Sequence, residues 1–240
     1  MGMLYPDNIA SHRERGKMKQ QTESTVRIES GETRIEGMLA VPEDAQGVVL
    51  FAHGSGSGRF SPRNQFVAKV LRDGGLGTLL VDLLDTSESD DRRKVFDINL
   101  LAERLKSATD WLRANPDTAK LNIGYFGAST GAAAALQAAA EIGQIVKAIV
   151  SRGGRPDLAV QYLSAVEAPT LLIVGGDDYP VIPLNQQAYE ALAGPKEIVI
   201  IPGATHLFEE PGALEQVATR ARNWFSTYLN ERSEDISHAI

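Results

Sequence analysis

The sequence predicts a single α/β domain built around a mostly parallel, doubly wound sheet of about eight strands. Short apolar runs alternate along the chain with segments of helical periodicity, which is the pattern of repeated β-α units. The later runs, such as residues 48–51 and 171–174, are apolar without interruption, which is typical of strands buried on both faces. A chain of 240 residues can bury one large core.

The first two predicted strands lie close together and alternate loosely between polar and apolar residues. We therefore expect them to form an antiparallel hairpin at the edge of the sheet, with its turn at Gly31. The complete set of predicted strands is 25–30, 34–41, 47–53, 78–83, 122–128, 146–151, 169–175 and 196–201.

Two long helices are predicted from apolar stripes at helical spacing. The first stripe runs from Ile98 to Leu112, with Asp97 placed to cap the helix and Pro116 placed to stop it. The second stripe runs from Leu214 to Tyr228 and predicts a C-terminal helix with Pro211 at or near its first turn.

The folded domain is expected at 25–229, between an N-terminal arm of residues 1–24 and a C-terminal tail of residues 230–240. The interval between the strand that ends near Ser151 and the strand that begins near Pro169 holds only one short predicted helix, at 158–166. No cap domain is therefore expected.

Composition excludes several classes of function. The chain has 24 basic and 31 acidic residues and a formal charge of −7, so it offers no attraction to nucleic acid or to an anionic membrane. No apolar stretch is long enough to span a bilayer, and the first twenty residues lack the apolar segment of a secretion signal. We expect a cytoplasmic protein that does not act on a membrane.

Neither a cofactor nor a metal is expected. The chain has no cysteine, which excludes disulfides, thiolate nucleophiles and cysteine-based metal sites. Its four histidines are scattered, without the paired spacing of metal ligands.

The most informative motif is Gly-x-Ser-x-Gly, formed by Gly127, Ser129 and Gly131. It lies between an apolar strand and an alanine-rich helix. In that context the motif predicts a nucleophile elbow, a strained strand-to-helix turn that presents the serine hydroxyl above the sheet. Glycines are required on both sides because strand and helix pass too close there for a Cβ atom.

Further polar residues follow other predicted strands, where the loops of a parallel sheet gather its function. Asp177 and Asp178 follow one strand and His206 follows the last one. A serine needs a base to take its proton, and a carboxylate can hold that base in the right tautomer. The chain order serine, acid, histidine is that of the α/β-hydrolases. His238 also follows Ser129, but it lies in the expected tail.

A tetrahedral intermediate needs amide donors for its oxyanion. The first candidate is the N–H of Thr130, one residue after the serine. The second is the N–H of Ser55, or of Gly56, in the glycine-rich loop that follows an early strand.

The same loop begins with His53, which we expect to brace it by a side-chain hydrogen bond. The loop lacks the spacing of a P-loop or a dinucleotide-binding turn, which argues against a nucleotide ligand. Arg59, Arg63 and Asn64 follow the loop and are candidates for substrate contacts. The alternative for these three residues is a solvated surface.

Together these motifs resemble the dienelactone-hydrolase-like group of α/β-hydrolases over residues 25–229. The resemblance implies an α/β-hydrolase fold with Ser129 as nucleophile, Asp178 rather than Asp177 as acid, and His206 as base. Dienelactone hydrolase proper carries cysteine at the elbow, whereas this chain carries serine. The motifs that carry the resemblance are, in chain order, His-Gly-x-Gly, Gly-x-Ser-x-Gly, Gly-Gly-x-Asp and Pro-Gly-Ala-x-His.

We therefore expect a serine esterase that cleaves small carboxylic esters or lactones through an acyl-serine intermediate. Fold and triad do not determine the acyl acceptor, so a peptidase, a thioesterase or an acyltransferase remains an alternative. A catalytically silent interaction protein with the same fold is the alternative from a different class.

Overall fold

The computed structural model describes residues 23–230, in which one sheet of eight strands has the order β1-β2-β4-β3-β5-β6-β7-β8. Each predicted strand overlaps one observed strand, and the predicted fold class is confirmed. The strands are β1 (Glu23–Ser30), β2 (Thr33–Ala40), β3 (Val48–Ala52), β4 (Gly77–Val81), β5 (Ile123–Ala128), β6 (Val146–Arg152), β7 (Thr170–Gly175) and β8 (Lys196–Ile201).

The antiparallel part of the sheet lies at one edge. Strand β1 pairs with β2 and β2 with β4 in antiparallel register, whereas all pairs from β4 to β8 are parallel. The predicted edge hairpin is therefore confirmed. Its first strand begins at Glu23, which is two residues inside the expected N-terminal arm. The rest of that arm (1–22) and most of the expected tail (231–240) lie outside the described residues.

Helices cover both faces of the sheet. One apolar cluster joins α1 and α7 to one face, and a second joins α4, α5 and α6 to the other. The helices are α1 (Pro62–Asp73), α2 (Thr86–Ser89), α3 (Arg92–Val95), α4 (Ile98–Ala114), α5 (Thr130–Ile142), α6 (Ile182–Ala191) and α7 (Ala213–Leu229), with 3₁₀ segments at Gly143–Ile145 and Pro156–Ala165.

The bounds of α4 agree with the sequence signals. The Asp97 side chain accepts a hydrogen bond of 3.0 Å from the N–H of Leu100, which satisfies one of the free donors of the first turn. The helix ends at Ala114, just before Asn115 and Pro116.

Two predicted helices differ in detail. The segment expected at 158–166 is a 3₁₀ segment, Pro156–Ala165, interrupted at Ala159, whose φ of −125° is not helical. Helix α7 begins at Ala213, so Pro211 lies two residues before its first turn, because Gly212 adopts φ +79° and cannot be part of the helix.

The carboxyl ends of β3, β5, β6, β7 and β8 lie at one edge of the sheet, because these strands are parallel neighbours. Between β6 and β7 only the 3₁₀ segment intervenes, so within residues 23–230 no cap domain is inserted between these two strands. In the described part of the chain, no helix is long and apolar enough to cross a membrane.

Candidate active site

Ser129 occupies a strained turn between β5 and α5. Its φ of 51° and ψ of −120° lie outside the regions that non-glycine residues normally adopt, at a cost on the order of 1–3 kcal/mol. The flanking glycines are needed sterically. A Cβ on Gly127 would lie 2.4 Å from the Cα of Ala132, and one on Gly131 would lie 2.1 Å from the carbonyl oxygen of Ala52. This is the geometry predicted for a nucleophile elbow.

The main chain of Ser129 is held on both sides. Its N–H donates to the carbonyl of Arg152 at 3.2 Å, and its own carbonyl accepts from the N–H groups of Ala132 and Arg155, each at 3.1 Å. Within residues 23–230 its hydroxyl makes no hydrogen bond, so the side chain is free to react or to bind a ligand.

Asp178 and His206 lie together. Nδ1 of His206 is 2.7 Å from Oδ2 of Asp178. The Asp178 side chain is 7% exposed and that of His206 is 38% exposed, so the carboxylate is buried behind a ring that reaches solvent. Asp177, the neighbouring carboxylate, is exposed and instead accepts a hydrogen bond of 3.1 Å from the Tyr179 hydroxyl.

The histidine and the serine flank the same turn, formed by Arg152 and Gly153. Ser129 bonds the Arg152 carbonyl, and a Cβ on Gly153 would lie 3.4 Å from Nδ1 of His206. The structure contains no hydrogen bond between His206 and Ser129. Nε2 of His206 makes no hydrogen bond within the described chain, which leaves it available on the side away from Asp178.

Free main-chain donors lie beside the elbow. In the described part of the chain, the N–H groups of Thr130, Ser55 and Gly56 make no hydrogen bond. These residues line one small cleft together with His53, and Gly56 has φ +66°. The cleft therefore brings together the amides that the sequence suggested as oxyanion donors.

His53 braces the glycine-rich loop, as expected. Its Nε2 accepts a hydrogen bond of 2.9 Å from the N–H of Leu83, so Nδ1 carries the proton and donates to the carbonyl of Gly54, also at 2.9 Å. Burial lowers the pKa of the His53 ring, because the charged form would lose its water. This histidine is thus neutral and structural.

The three suggested substrate contacts are placed differently from one another. Arg59 forms ion pairs with Glu36 and Asp82, which directs its guanidinium toward the antiparallel edge of the sheet. Arg63, near the start of α1, pairs with Glu209 at 2.7 Å. Asn64 is buried, and its side-chain oxygen has no partner within the part of the chain that the structure describes.

Sequence reasoning missed Arg152, the last residue of β6. It is 7% exposed, and its Nε and Nη1 are buried without a hydrogen-bond partner among residues 23–230. Burial, together with the nearby charge of Arg63, lowers its pKa to about 10. The available signal was a basic residue at the end of the predicted strand 146–151. Charged residues are almost never fully buried unless they are paired, so a charge at such a position marks a candidate site.

Metal ligands are not grouped in the described residues, where no three histidine or acidic side chains come close enough to hold an ion.

The strained serine turn and the parallel sheet with helices on both faces define the α/β-hydrolase fold. Residues 35–231 match the model of the dienelactone hydrolase family, and the chain belongs to that family.

Several relatives are similar to this chain. A Mycobacterium tuberculosis protein named "Putative phosphoribosyl transferase Rv0571c" is 56% identical over 204 residues, which are 85% of this chain and 46% of that protein. The chain thus spans about half the length of the curated relatives it matches.

Solved structures show the same fold. A dienelactone hydrolase from Anabaena variabilis is 58% identical, with a TM-score of 0.85 over 88% of this chain and 99% of that one. Est1E from Butyrivibrio proteoclasticus, solved with ferulic acid, is 16% identical, with a TM-score of 0.74 over 85% of this chain and 98% of that one.

Proposed function

We propose that this chain is a serine hydrolase that cleaves small carboxylic esters or lactones through an acyl-serine intermediate. The observation that carries the proposal is the 2.7 Å contact between His206 and the buried Asp178, next to a serine whose hydroxyl is unbonded in a strained turn. A buried carboxylate paired with a solvent-facing imidazole is the arrangement that activates a serine for attack on a carbonyl.

The steps follow from this arrangement. Ser129 Oγ attacks the ester carbonyl while Nε2 of His206 takes the hydroxyl proton. Asp178 keeps the other ring proton on Nδ1 and stabilises the imidazolium. The N–H groups of Thr130 and Ser55 donate to the oxyanion. The intermediate then expels the alcohol, which takes the proton from His206. A water molecule then attacks the acyl-serine while His206 takes its proton. The bond between the acyl carbon and Ser129 Oγ breaks, Oγ takes the proton back from His206, and the acid is released.

The expected acyl groups are short, because within residues 23–230 no cap domain is inserted at the carboxyl edge of the sheet. Burying a methylene group contributes roughly 0.8 kcal/mol, and a chain that extends into water gains almost none of it. Nitrophenyl esters from acetate to butyrate should therefore react faster than esters of ten carbons or more. A rate that rises steadily with chain length would contradict this expectation.

The family supports a hydrolytic reaction, and Est1E is a relative in fold whose structure holds ferulic acid. The M. tuberculosis relative is named a putative phosphoribosyl transferase, but this chain matches only 46% of that protein. Similarity alone does not extend that activity to this chain.

Labelling with a fluorophosphonate tests the proposal, because the probe reacts with activated serines only. We expect the wild-type chain to be labelled at Ser129 and to hydrolyse nitrophenyl butyrate, and Ser129→Ala to lose both properties, with a rate loss of about 10⁶-fold. Ser164→Ala, at an exposed serine on the 3₁₀ segment, is the matched control. Absence of labelling in the folded wild-type chain would favour the silent interaction protein. Faster turnover of thioesters than of esters would favour a thioesterase, and faster turnover of anilides would favour a peptidase. Transfer of the acyl group to an added alcohol would favour an acyltransferase.

A further inference from the structure

The two edges of the sheet present different side chains to the solvent. Edge strand β1 carries the exposed charged residues Glu23, Arg27 and Glu29, and such charges protect a sheet edge from pairing with another chain. At the other edge, β8 pairs only with β7, so within the described residues no strand lies on its outer side. The side chains of β8 from Ile198 to Ile201 are all apolar. Strand β8 is therefore the edge to which a further strand can be added.

Apolar side chains are accessible on both faces of the sheet beside β8. On the face covered by α6, Ile200 is 41% exposed and Ile198 is only partly buried. On the face covered by α7, a groove of about 330 Å³ separates the helix from the strand. The rings of Trp224 and Tyr228 line this groove, with centroids 4.8 Å apart, and both are only partly buried. Partly exposed apolar and aromatic side chains that cluster in this way are typical of a protein–protein contact.

The same groove holds one acidic and one basic side chain, Glu197 and Arg220. Both are exposed, and within residues 23–230 neither forms an ion pair. Glu197 is the second residue of β8 and so lies at the amino end of the strand. Helix α7 runs in the opposite direction, and Trp224 donates to the carbonyl of Pro169, just before β7. Because Arg220 precedes Trp224 by about one turn, it lies about 6 Å closer than Trp224 to the carboxyl end of the sheet.

These features are self-complementary about a two-fold axis perpendicular to the sheet. Two copies of β8 related by that axis would run antiparallel, and each would offer its outer main-chain donors and acceptors to the other. The amino end of one β8 would then lie beside the carboxyl end of the other. Glu197 of one copy would approach the part of the groove that holds Arg220 of the second copy, and symmetry would form this opposite-charge contact twice.

We propose that two copies of this chain associate through β8 and α7 into a symmetric dimer, in which the two sheets join into one continuous sheet. The occupant is a second copy because the strand edge, the apolar groove and the two charges all match themselves under one rotation. The proposal goes beyond the proposed function and does not depend on it. Ser129 follows β5, three strands from β8 in the sheet, so each subunit keeps its own candidate site.

The mass of the full chain in solution, measured by analytical ultracentrifugation over a range of micromolar concentrations, tests the proposal. We expect the wild-type chain to sediment with twice the mass of one chain. Ile200→Lys places a charge on the edge of β8, which opposes pairing of edge strands, and should raise the dissociation constant of the dimer by at least about tenfold. Thr25→Lys adds the same charge at an exposed position of β1 and should keep the wild-type constant.

Reversal of the two groove charges tests the orientation of the copies and does not alter a buried position. Glu197→Arg and Arg220→Glu each place like charges across the proposed interface, so each should weaken the dimer. The variant that carries both substitutions exchanges the charges and should associate more tightly than either single variant. Circular dichroism would establish that every variant folds.

A wild-type chain that remains a monomer at all of these concentrations would overturn the proposal, whether solvent, another protein or another segment of this chain covers β8. A dimer that forms equally well in Ile200→Lys, or in both single charge reversals, would place the interface elsewhere and would also overturn it. Because the mass is measured without substrate, neither outcome bears on the proposed ester hydrolysis.

Discussion

Replacing Asp178 by asparagine changes one hydrogen bond of the candidate triad and keeps the rest of the site in place. The side chain keeps its size, and the turn after β7 is held by main-chain bonds that the substitution does not touch, from the Asp178 N–H to Gly175 at 3.1 Å and from the Val181 N–H to the Asp178 carbonyl at 2.9 Å. Only the 2.7 Å contact from Nδ1 of His206 is altered.

The size of the effect follows from the direction of that contact. The Asp178 carboxylate can only accept, so it holds the ring proton on Nδ1 and leaves Nε2 free to accept the proton of Ser129. An asparagine amide can donate to Nδ1, which moves the ring proton to Nε2. The wrong tautomer cannot act as base, and this kind of change lowers kcat by about 10⁴-fold. That loss corresponds to about 5.4 kcal/mol of transition-state stabilisation.

The assay is hydrolysis of nitrophenyl acetate by purified Asp178→Asn, with Asp177→Asn as the matched control. Asp177 is adjacent in sequence but exposed, and it bonds Tyr179 rather than His206, so its variant should stay within about threefold of the wild-type rate. Circular dichroism would establish that both variants fold. If Asp178→Asn retained a tenth or more of the activity, or if Asp177→Asn lost more than Asp178→Asn, the assignment of the acid would be wrong.

Three further predictions concern stability. Gly131→Ala places a Cβ 2.1 Å from a main-chain oxygen of β3 and should lower the free energy of unfolding in urea by more than 3 kcal/mol, roughly the scale of severe overpacking. Gly77→Ala, whose nearest contact is 3.4 Å, should cost much less. Ser129→Gly removes the cost of the positive φ and should raise the free energy of unfolding by about 1 kcal/mol. A variant less stable than the wild type would argue against strain at this residue. The Arg104 side chain holds the pKa of Glu88 at about 2, below its ordinary 4.5. This carboxylate therefore stabilises the fold above pH 4.5 and loses its contribution of about 3 kcal/mol as the pH falls toward 2. The stability gap between wild type and Glu88→Gln should close over that range, and a gap independent of pH would refute the pairing.

Much of the fold was predictable because its signals are local. The buried strands show as continuous apolar runs, and α4 carries both its cap and its stop within the sequence. The 3₁₀ segment Pro156–Ala165 was mistaken for a regular helix, since its apolar residues have a helical spacing and the break at Ala159 has no proline or glycine to mark it.

For the candidate site, the sequence by itself determined which residues are candidates for the reaction and in what order they follow the strands. Ser129 lies between glycines that a tight turn requires, and His206 lies in the loop that follows the last strand of the sheet. These are properties of neighbours along the chain, so they can be predicted without a structure.

Only the tertiary structure decided which charges have partners. Asp178 rather than Asp177 turns inward to His206, and Arg59 is neutralised by Glu36 and Asp82. Arg152, at the end of β6, has no partner for its Nε and Nη1 in the described part of the chain. Each outcome depends on side chains that are distant in sequence and meet only when the strands and helices pack. The energy of a buried charge is determined by those contacts and by the exclusion of water, neither of which a linear pattern contains.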